Sequence, residues 1–281
     1  MKYMFIGAHP DDPDVLFGAT AIKLVRKGHS VKFVAACNGN AGHYSMSRDA
    51  LAKRRFAESR AAAKVIGLAD YEVFDTPDCN IQPDLASREK IIRTIRTFAP
   101  DVVISHWLHD YHADHRATAQ LVQDAAYLLT VPLYCDDTPI PETYPVFAYC
   151  YHGFTDPRPF RPDAAVEFDS LYDEKCRILD CHASQFYEWL PWSEGFKDFR
   201  VDNLSWEEKK KHLGIWLARF KDAANLSRQT LVETYGAPAR DIAYAEAFEQ
   251  TQYGRQVSLQ NFRRLFNGDE LLPEESFQTR A

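Results

Sequence analysis

Apolar residues along this chain fall into two alternating rhythms. Short runs rich in β-branched and aromatic residues, "YMFIGA" (3–8), "SVKFVAAC" (30–37), "YEVFDT" (71–76) and "DVVISHW" (101–107), predict strands. Between them, apolar positions at three- and four-residue steps predict helices over 14–29, 46–68 and 85–99, the first stopped by Gly28 and the second by Gly67. An alanine-rich helix follows from about Asp114 to Leu129. This alternation is the βαβ pattern of a parallel sheet. The expected fold is α/β, a Rossmann-like three-layer sandwich with a mostly parallel sheet and its active site at the carboxyl ends of the strands.

Beyond residue 130 the rhythm changes. Pro132, Pro139, Pro141, Pro145, Pro157, Pro159 and Pro162 punctuate two strand-like runs, "VFAYCYH" (146–152) and "AAVEFD" (164–169). Helices are predicted near 170–183 and 205–225, and "AEAFEQ" (245–250) reads as a last helix. The expectation is one domain over 1–281, with a Rossmann-like core in 1–130 and strands, loops and helices in 131–281 that cover the site. The last dozen residues, with Glu270, Glu274 and Glu275 among few apolar ones, are expected to be loosely ordered.

Composition narrows the function classes. The chain has 281 residues, 46% of them hydrophobic and 26% charged, with 33 basic against 40 acidic side chains. A formal charge of −7 offers no basic field for nucleic acid or anionic lipid. Met1–Gly7 holds too few apolar residues for a signal-peptide core or a membrane span, so a cytoplasmic enzyme or binding protein is expected, with self-association left open. Six scattered cysteines without a C-x-x-C pair read as reduced, mostly buried small hydrophobes rather than disulfides or a thiolate zinc site.

Three strand ends carry polar clusters that an open parallel sheet would bring together. Strand one ends in "AHPDD", where His9 and Asp12 face one point across a turn stiffened by Pro10; the competing reading is that Asp11 and Asp12 cap the next helix. Strand four ends in "SHWLHDYHADH", with His106, His109, His112 and His115 interleaved with Asp110 and Asp114. His115, in the first turn of a helix, is the natural third ligand beside His9 and Asp12. Two histidines, one carboxylate and an open position suit catalytic zinc, and equally iron or another divalent ion. Asp11 is then free to act as a base, and His112, backed by Asp114, as an acid or electrostatic clamp. His106 and His109 read as solvated or pocket-lining. "NGNAGH" (38–43) is a poor cofactor loop and reads as a turn that brings Asn40 or His43 near the pocket. Arg55 pairs with Glu58 along its helix or reaches substrate, and the spacing does not choose. The aromatics of "FYEWLPW" (186–192), with Tyr149, Tyr151 and Phe154, serve core and lid equally well.

These residues carry a resemblance. "AHPDD" with "HADH", supported by "NGNAGH", "RFAESRAAAKVIGL" and "KCRILDCHASQF", is similar to the LmbE-like, or N-acetylglucosaminyl-phosphatidylinositol de-N-acetylase (PIG-L), family of zinc-dependent deacetylases, over about residues 3–186. The resemblance implies His9, Asp12 and His115 as zinc ligands, Asp11 as general base, and His112 with Asp114 as the group that stabilises the tetrahedral intermediate and protonates the amine. It brings Arg55 to the substrate and places His182 and Gln185 close to the pocket. The implied reaction is removal of an N-acetyl group from an N-acetylglucosamine-type amino sugar or its glycoside; other N-acyl substrates, such as a thiol–sugar conjugate or an antibiotic, and a non-catalytic metal-binding protein are the alternatives. Pro13, and Leu16–Phe17 where the family uses small residues, depart from the pattern and bear on the shape of the site floor.

Overall fold

Lys2–Gly7 form β1, buried on both faces from Tyr3 onward. In the computed structural model, which describes residues 1–197 and 199–273, its side chains alternate between two layers, Tyr3 and Phe5 entering one core and Met4 and Ile6 the other. The chain continues as α1 (Asp12–Arg26), β2 (Ser30–Ala35), α2 (Arg48–Ile66), β3 (Asp70–Val73), α3 (Leu85–Phe98), β4 (Val102–Ser105), α4 (Ala113–Leu128), β5 (Val146–Cys150) and β6 (Ala164–Glu167). It closes with α5 (Tyr172–Asp180), a π-helical turn Ser184–Trp189, α6 (Leu190–Ser193), α7 (Trp206–Leu217), α8 (Arg219–Leu226), α9 (Arg228–Tyr235), β7 (Ala245–Gly254) and α10 (Leu259–Asn267). The tail residues Glu274 and Glu275 lie outside the described residues.

Seven strands lie in the order β3-β2-β1-β4-β5-β7-β6. The first five are parallel, and β7 runs antiparallel between β5 and β6. Ile91, Ile92 and Ile95 of α3 and Leu121, Val122 and Ala125 of α4 pack on one face; α1, α2, α5, α7 and α10 cover the other. The chain moves outward from β1 to β2 and β3, then returns to β4 on the opposite side of β1. The strand order therefore reverses between β1 and β4, the place where a doubly wound sheet opens a crevice.

The expected helix at "AEAFEQ" is corrected to the strand β7. Alanine and glutamate favour helix locally, but Ala245, Glu246, Ala247, Phe248 and Glu249 are all buried between two strands. Both glutamates are neutralised there by cations from distant segments, Glu246 by Lys175 and Glu249 by Arg158. Tertiary pairing thus overrides a propensity worth only tenths of a kcal/mol per residue. Among the described residues no helix is long and apolar enough to cross a membrane.

Candidate metal centre

The turn after β1 is drawn tight by Asp12 itself. Its Oδ2 accepts the backbone N–H groups of Ala8 at 3.0 Å and His9 at 2.7 Å. Asp11 occupies the N-cap position of α1 without a side-chain capping bond, so neither aspartate acts as the ordinary helix cap. A Cβ on Gly7 would lie 2.8 Å from Asp12 Cβ and 3.0 Å from Pro13 Cδ, which leaves glycine as the residue that lets the turn close on the strand.

Three donors meet at this turn. His9 Nδ1 lies 3.3 Å from Asp12 Oδ2 and His115 Nε2 3.4 Å from Asp12 Oδ1, and one ligand atom from each residue lies within 4.8 Å of the others. Each imidazole is anchored through its other nitrogen, His9 Nε2 at 3.3 Å from Asp78 and 3.4 Å from Asp114, and His115 Nδ1 at 3.1 Å from Asp110. Carboxylates behind the ring nitrogens are the usual support of metal-binding histidines. His106 is also buried: its Nε2 sits 3.2 Å from Asp12 Oδ2 and its ring stacks on His115 at 4.1 Å.

The electrostatics calls for a cation at this point. Burial opposes protonation of His9 and His115, yet Asp12 and the carboxylates behind the rings override it, holding His9 well above its ordinary value and raising His115 to about 9. Burial likewise opposes ionisation of Asp12, but His115, His106 and His9 hold it well below the usual carboxylate range. Protonated imidazoles here balance Asp12, Asp78, Asp110 and Asp114; a divalent ion between His9, Asp12 and His115 supplies the same charge to a donor set of suitable chemistry. The residues fit such an ion.

The neighbouring side chains divide into those the cavity receives and those it does not. A cavity of about 480 Å³ opens at the donor set, with Asp11, Arg55, His112 and Gln185 on its wall. Arg55, although only 2% exposed, reaches Asp11 Oδ1 at 2.5 Å and Gly39 O at 3.3 Å. Its guanidinium thus holds Asp11 rather than standing free for substrate, and Glu58 instead pairs with Arg54. Gly39, at φ +65°, leaves the room: a Cβ there would lie 2.5 Å from Arg55 Nη1.

His112 begins α4, and its Nδ1 accepts the Asp114 backbone N–H at 3.1 Å. The proton of the neutral ring is therefore on Nε2. Asp114 does not back His112 as expected, because its carboxylate accepts from Cys79 N at 2.7 Å and faces His9. Burial, then His9 and His115, lower the His112 pKa.

Three residues expected near substrate hold the scaffold instead. Asn40 Oδ1 accepts the Asp78 N–H at 3.1 Å. His43 bonds Glu188 at 2.8 Å and the Ser45 and Met46 amides. His182, fully buried, lies 3.1 Å from Asp14, which in turn accepts from Tyr71 Oη. Gln185 does reach the wall and donates to Gly42 O at 3.2 Å. His109 is exposed. Leu16 lines the cavity floor, whereas Phe17 turns away into the core against Phe5 and Phe248.

Sequence reasoning missed Asp78, which follows β3, and Asp110 as the partner of His115. The strand-end rule, applied to "TPDCN" as it was to the other loops, points to Asp78. It also passed over Cys37, a buried thiol pushed up to about 12 by burial, whose sulfur shares a second possible donor group with His9, Asp78 and Asp114.

Residues 4–126, which hold every donor just described, match the family PIG-L: GlcNAc-PI de-N-acetylase. Over 202 residues it is 26% identical to diacetylchitobiose deacetylase of Thermococcus kodakarensis, covering 68% of this chain and 73% of that protein. Over 224 residues it is 25% identical to 4-oxalmesaconate hydratase of Pseudomonas putida, covering 77% and 84%. N,N'-diacetylchitobiose deacetylase from Pyrococcus horikoshii shares the fold with a TM-score of 0.66 at 22% identity, over 89% of this chain and 83% of that one. Residues 4–126 supply the floor of the cavity, and the residues beyond them supply much of the cover.

Proposed function

We propose that this protein is a cytoplasmic, metal-dependent N-deacetylase that hydrolyses the acetamide of an N-acetylglucosamine-type amino sugar or its glycoside, with zinc as the ion and iron(II) as the alternative the same donors accept. The observation that supports it most is the three-donor set His9, Asp12 and His115, anchored from behind, with Asp11 lining the same open cavity. A divalent ion held there supplies Lewis acidity and lowers the pKa of water.

The chain's own groups handle the protons. Asp11, fixed by Arg55, takes one proton from the attacking water as the new C–O bond forms. The carbonyl oxygen gathers negative charge, and His112 donates to it through the Nε2–H that its contact with the Asp114 amide leaves on that nitrogen. As the C–N bond breaks, the proton that Asp11 took passes to the departing nitrogen and leaves it a neutral amine. Residues 131–281 act as the cover of one domain.

The hydratase relative supports a second reading, addition of water to a carbon–carbon double bond by the same base, because that match spans more of both chains than the deacetylase match. Free-amine release from a panel of N-acetyl sugars by the zinc-loaded protein separates the two. Asp11→Asn is expected to lower turnover by about 10²–10⁴-fold while metal content, read by mass spectrometry, stays stoichiometric. Full turnover in that variant removes Asp11 from the mechanism.

A further inference from the structure

Several of the buried polar atoms without a hydrogen-bond partner line the cavity; Arg55 and His115 carry one each, and the others lie on Trp107, His152 and Trp216. Trp107 follows β4, His152 follows β5, and Trp216 and Arg219 flank the break between α7 and α8; all four line the cavity. Trp107 Nε1, Trp216 Nε1 and both ring nitrogens of His152 are buried with no hydrogen-bond partner, and Trp107 and His152 are only 5% and 3% exposed. Stacking at 4.7 Å between Trp107 and His152 fixes both rings. Arg219 makes one long contact, Nη2 to Tyr151 O at 3.5 Å, and no ion pair with a carboxylate among the described residues. Arg55 and Arg158, by contrast, are each paired with one.

The chemistry of these orphans is one-sided. Indole and guanidinium groups donate and never accept. His152, lowered to about 4 by burial, is neutral at pH 7 and donates from one nitrogen. Unanswered buried indole donors are costly, and beside them the exposed Arg219 carries a charge with no carboxylate partner among the described residues, so the wall suits a ligand group that brings acceptors. A sugar hydroxyl brings a donor of its own, whereas a carboxylate brings acceptors alone and one charge, which the single guanidinium balances. Asp110 and Glu194, on the same cavity, disfavour a dianion such as phosphate.

We propose that Arg219, His152, Trp107 and Trp216 form a carboxylate subsite, so that the preferred N-acyl substrate carries an acidic group. The proposal rests on the deacetylase reading for the N-acyl part of that ligand only.

Calorimetric titration of the zinc-loaded Asp11→Asn protein with N-acetylmuramic acid and with N-acetylglucosamine tests it. The acid is expected to bind about 10-fold tighter than the neutral sugar, the gain from one charge-assisted contact. Adding Arg219→Gln should bring the ratio of the two affinities to about one, and His152→Phe, which keeps the stack, should lower that ratio severalfold. Equal binding of the two sugars, or an unchanged ratio with Arg219→Gln, overturns the subsite. Amine release by the active protein is scored separately. Acid preference without release from either sugar removes the deacetylase reading and leaves the subsite, whereas release from both sugars without preference does the reverse.

Discussion

Around one cavity, the ends of β1 and β4 hold polar side chains in answered pairs, while the wall built by Trp107, His152 and the α7–α8 junction leaves its donors unanswered. On the floor, His9 meets Asp78 and Asp12 meets His115 from other strand ends, and Asp11 meets Arg55 of α2. On the wall, two indoles, an imidazole and a guanidinium face the cavity on or beside aromatic rings. The floor is preorganised for an operation that does not depend on which molecule arrives. The wall remains incomplete until a particular molecule does, which places specificity there and chemistry on the floor.

The most severe way to break this division is to remove a floor donor. Asp12→Ala deletes a ligand, the acceptor of two turn amides and the counter-charge of two imidazoles. Stoichiometric metal should be lost and turnover should fall by several powers of ten, because polarisation by the ion is worth several kcal/mol. If floor and wall are as separable as proposed, the same variant still distinguishes N-acetylmuramic acid from N-acetylglucosamine in binding. Retention of metal by Asp12→Ala, measured by mass spectrometry, would show that the donor set is misassigned.

A smaller effect tests how deep the preorganisation runs. Beneath the floor, Lys175 Nζ donates to Asp14 O at 2.8 Å, Val15 O at 2.7 Å and Glu246 Oε1 at 2.5 Å, and Glu246 accepts the Ala19 and Thr20 amides. Both side chains are fully buried. This charged pair ties α1, which begins at Asp12, to α5 and β7. Lys175→Met leaves Glu246 as a buried unpaired charge and should cost about 3–5 kcal/mol in chemical denaturation. Replacing both by Met and Leu should recover part of that loss. A single variant as stable as the parent would mean that the pair does not anchor the helix.

The same comparison explains what the sequence made legible. The donors of the floor lie in two short clusters, "AHPDD" and "HADH", each following a strand whose apolar run is unmistakable, so β1, β4 and their loops were readable together. Asp78 stands alone after a four-residue strand, with no histidine beside it, so only the strand-end rule marks it. Asn40 and His43 were placed near the pocket by a turn and His182 by resemblance, but a loop asparagine or histidine bonds a neighbouring amide or carboxylate as readily as a ligand, and only the assembled fold decides. β7 was misread because its glutamates look like the polar face of a helix until Lys175 and Arg158 arrive from far along the chain. The wall was least legible, since its meaning lies in hydrogen bonds that are not made.

The mildest substitutions sharpen the question of what draws the first turn so tight. Two features compete: Pro13, which fixes one backbone angle at the start of α1, and Gly7, which lets Asp12 approach β1. Gly7→Ala places a Cβ at 2.8 Å from Asp12 Cβ, inside van der Waals contact and against a rigid turn, and overpacking of this kind costs about 1–3 kcal/mol. It also displaces a metal donor, so metal affinity should fall with stability. Pro13→Ala keeps every hydrogen bond of the turn, because the Ala8 and His9 amides and Asp12 Oδ2 do not involve it. Its cost should be limited to the extra freedom of the unfolded chain, about 0.4–1 kcal/mol, with metal affinity and turnover unchanged. The two variants therefore separate a turn held by side-chain acceptance from one held by proline. A loss of metal affinity in Pro13→Ala as large as in Gly7→Ala would reverse the assignment and make proline the feature that sets the geometry of the floor.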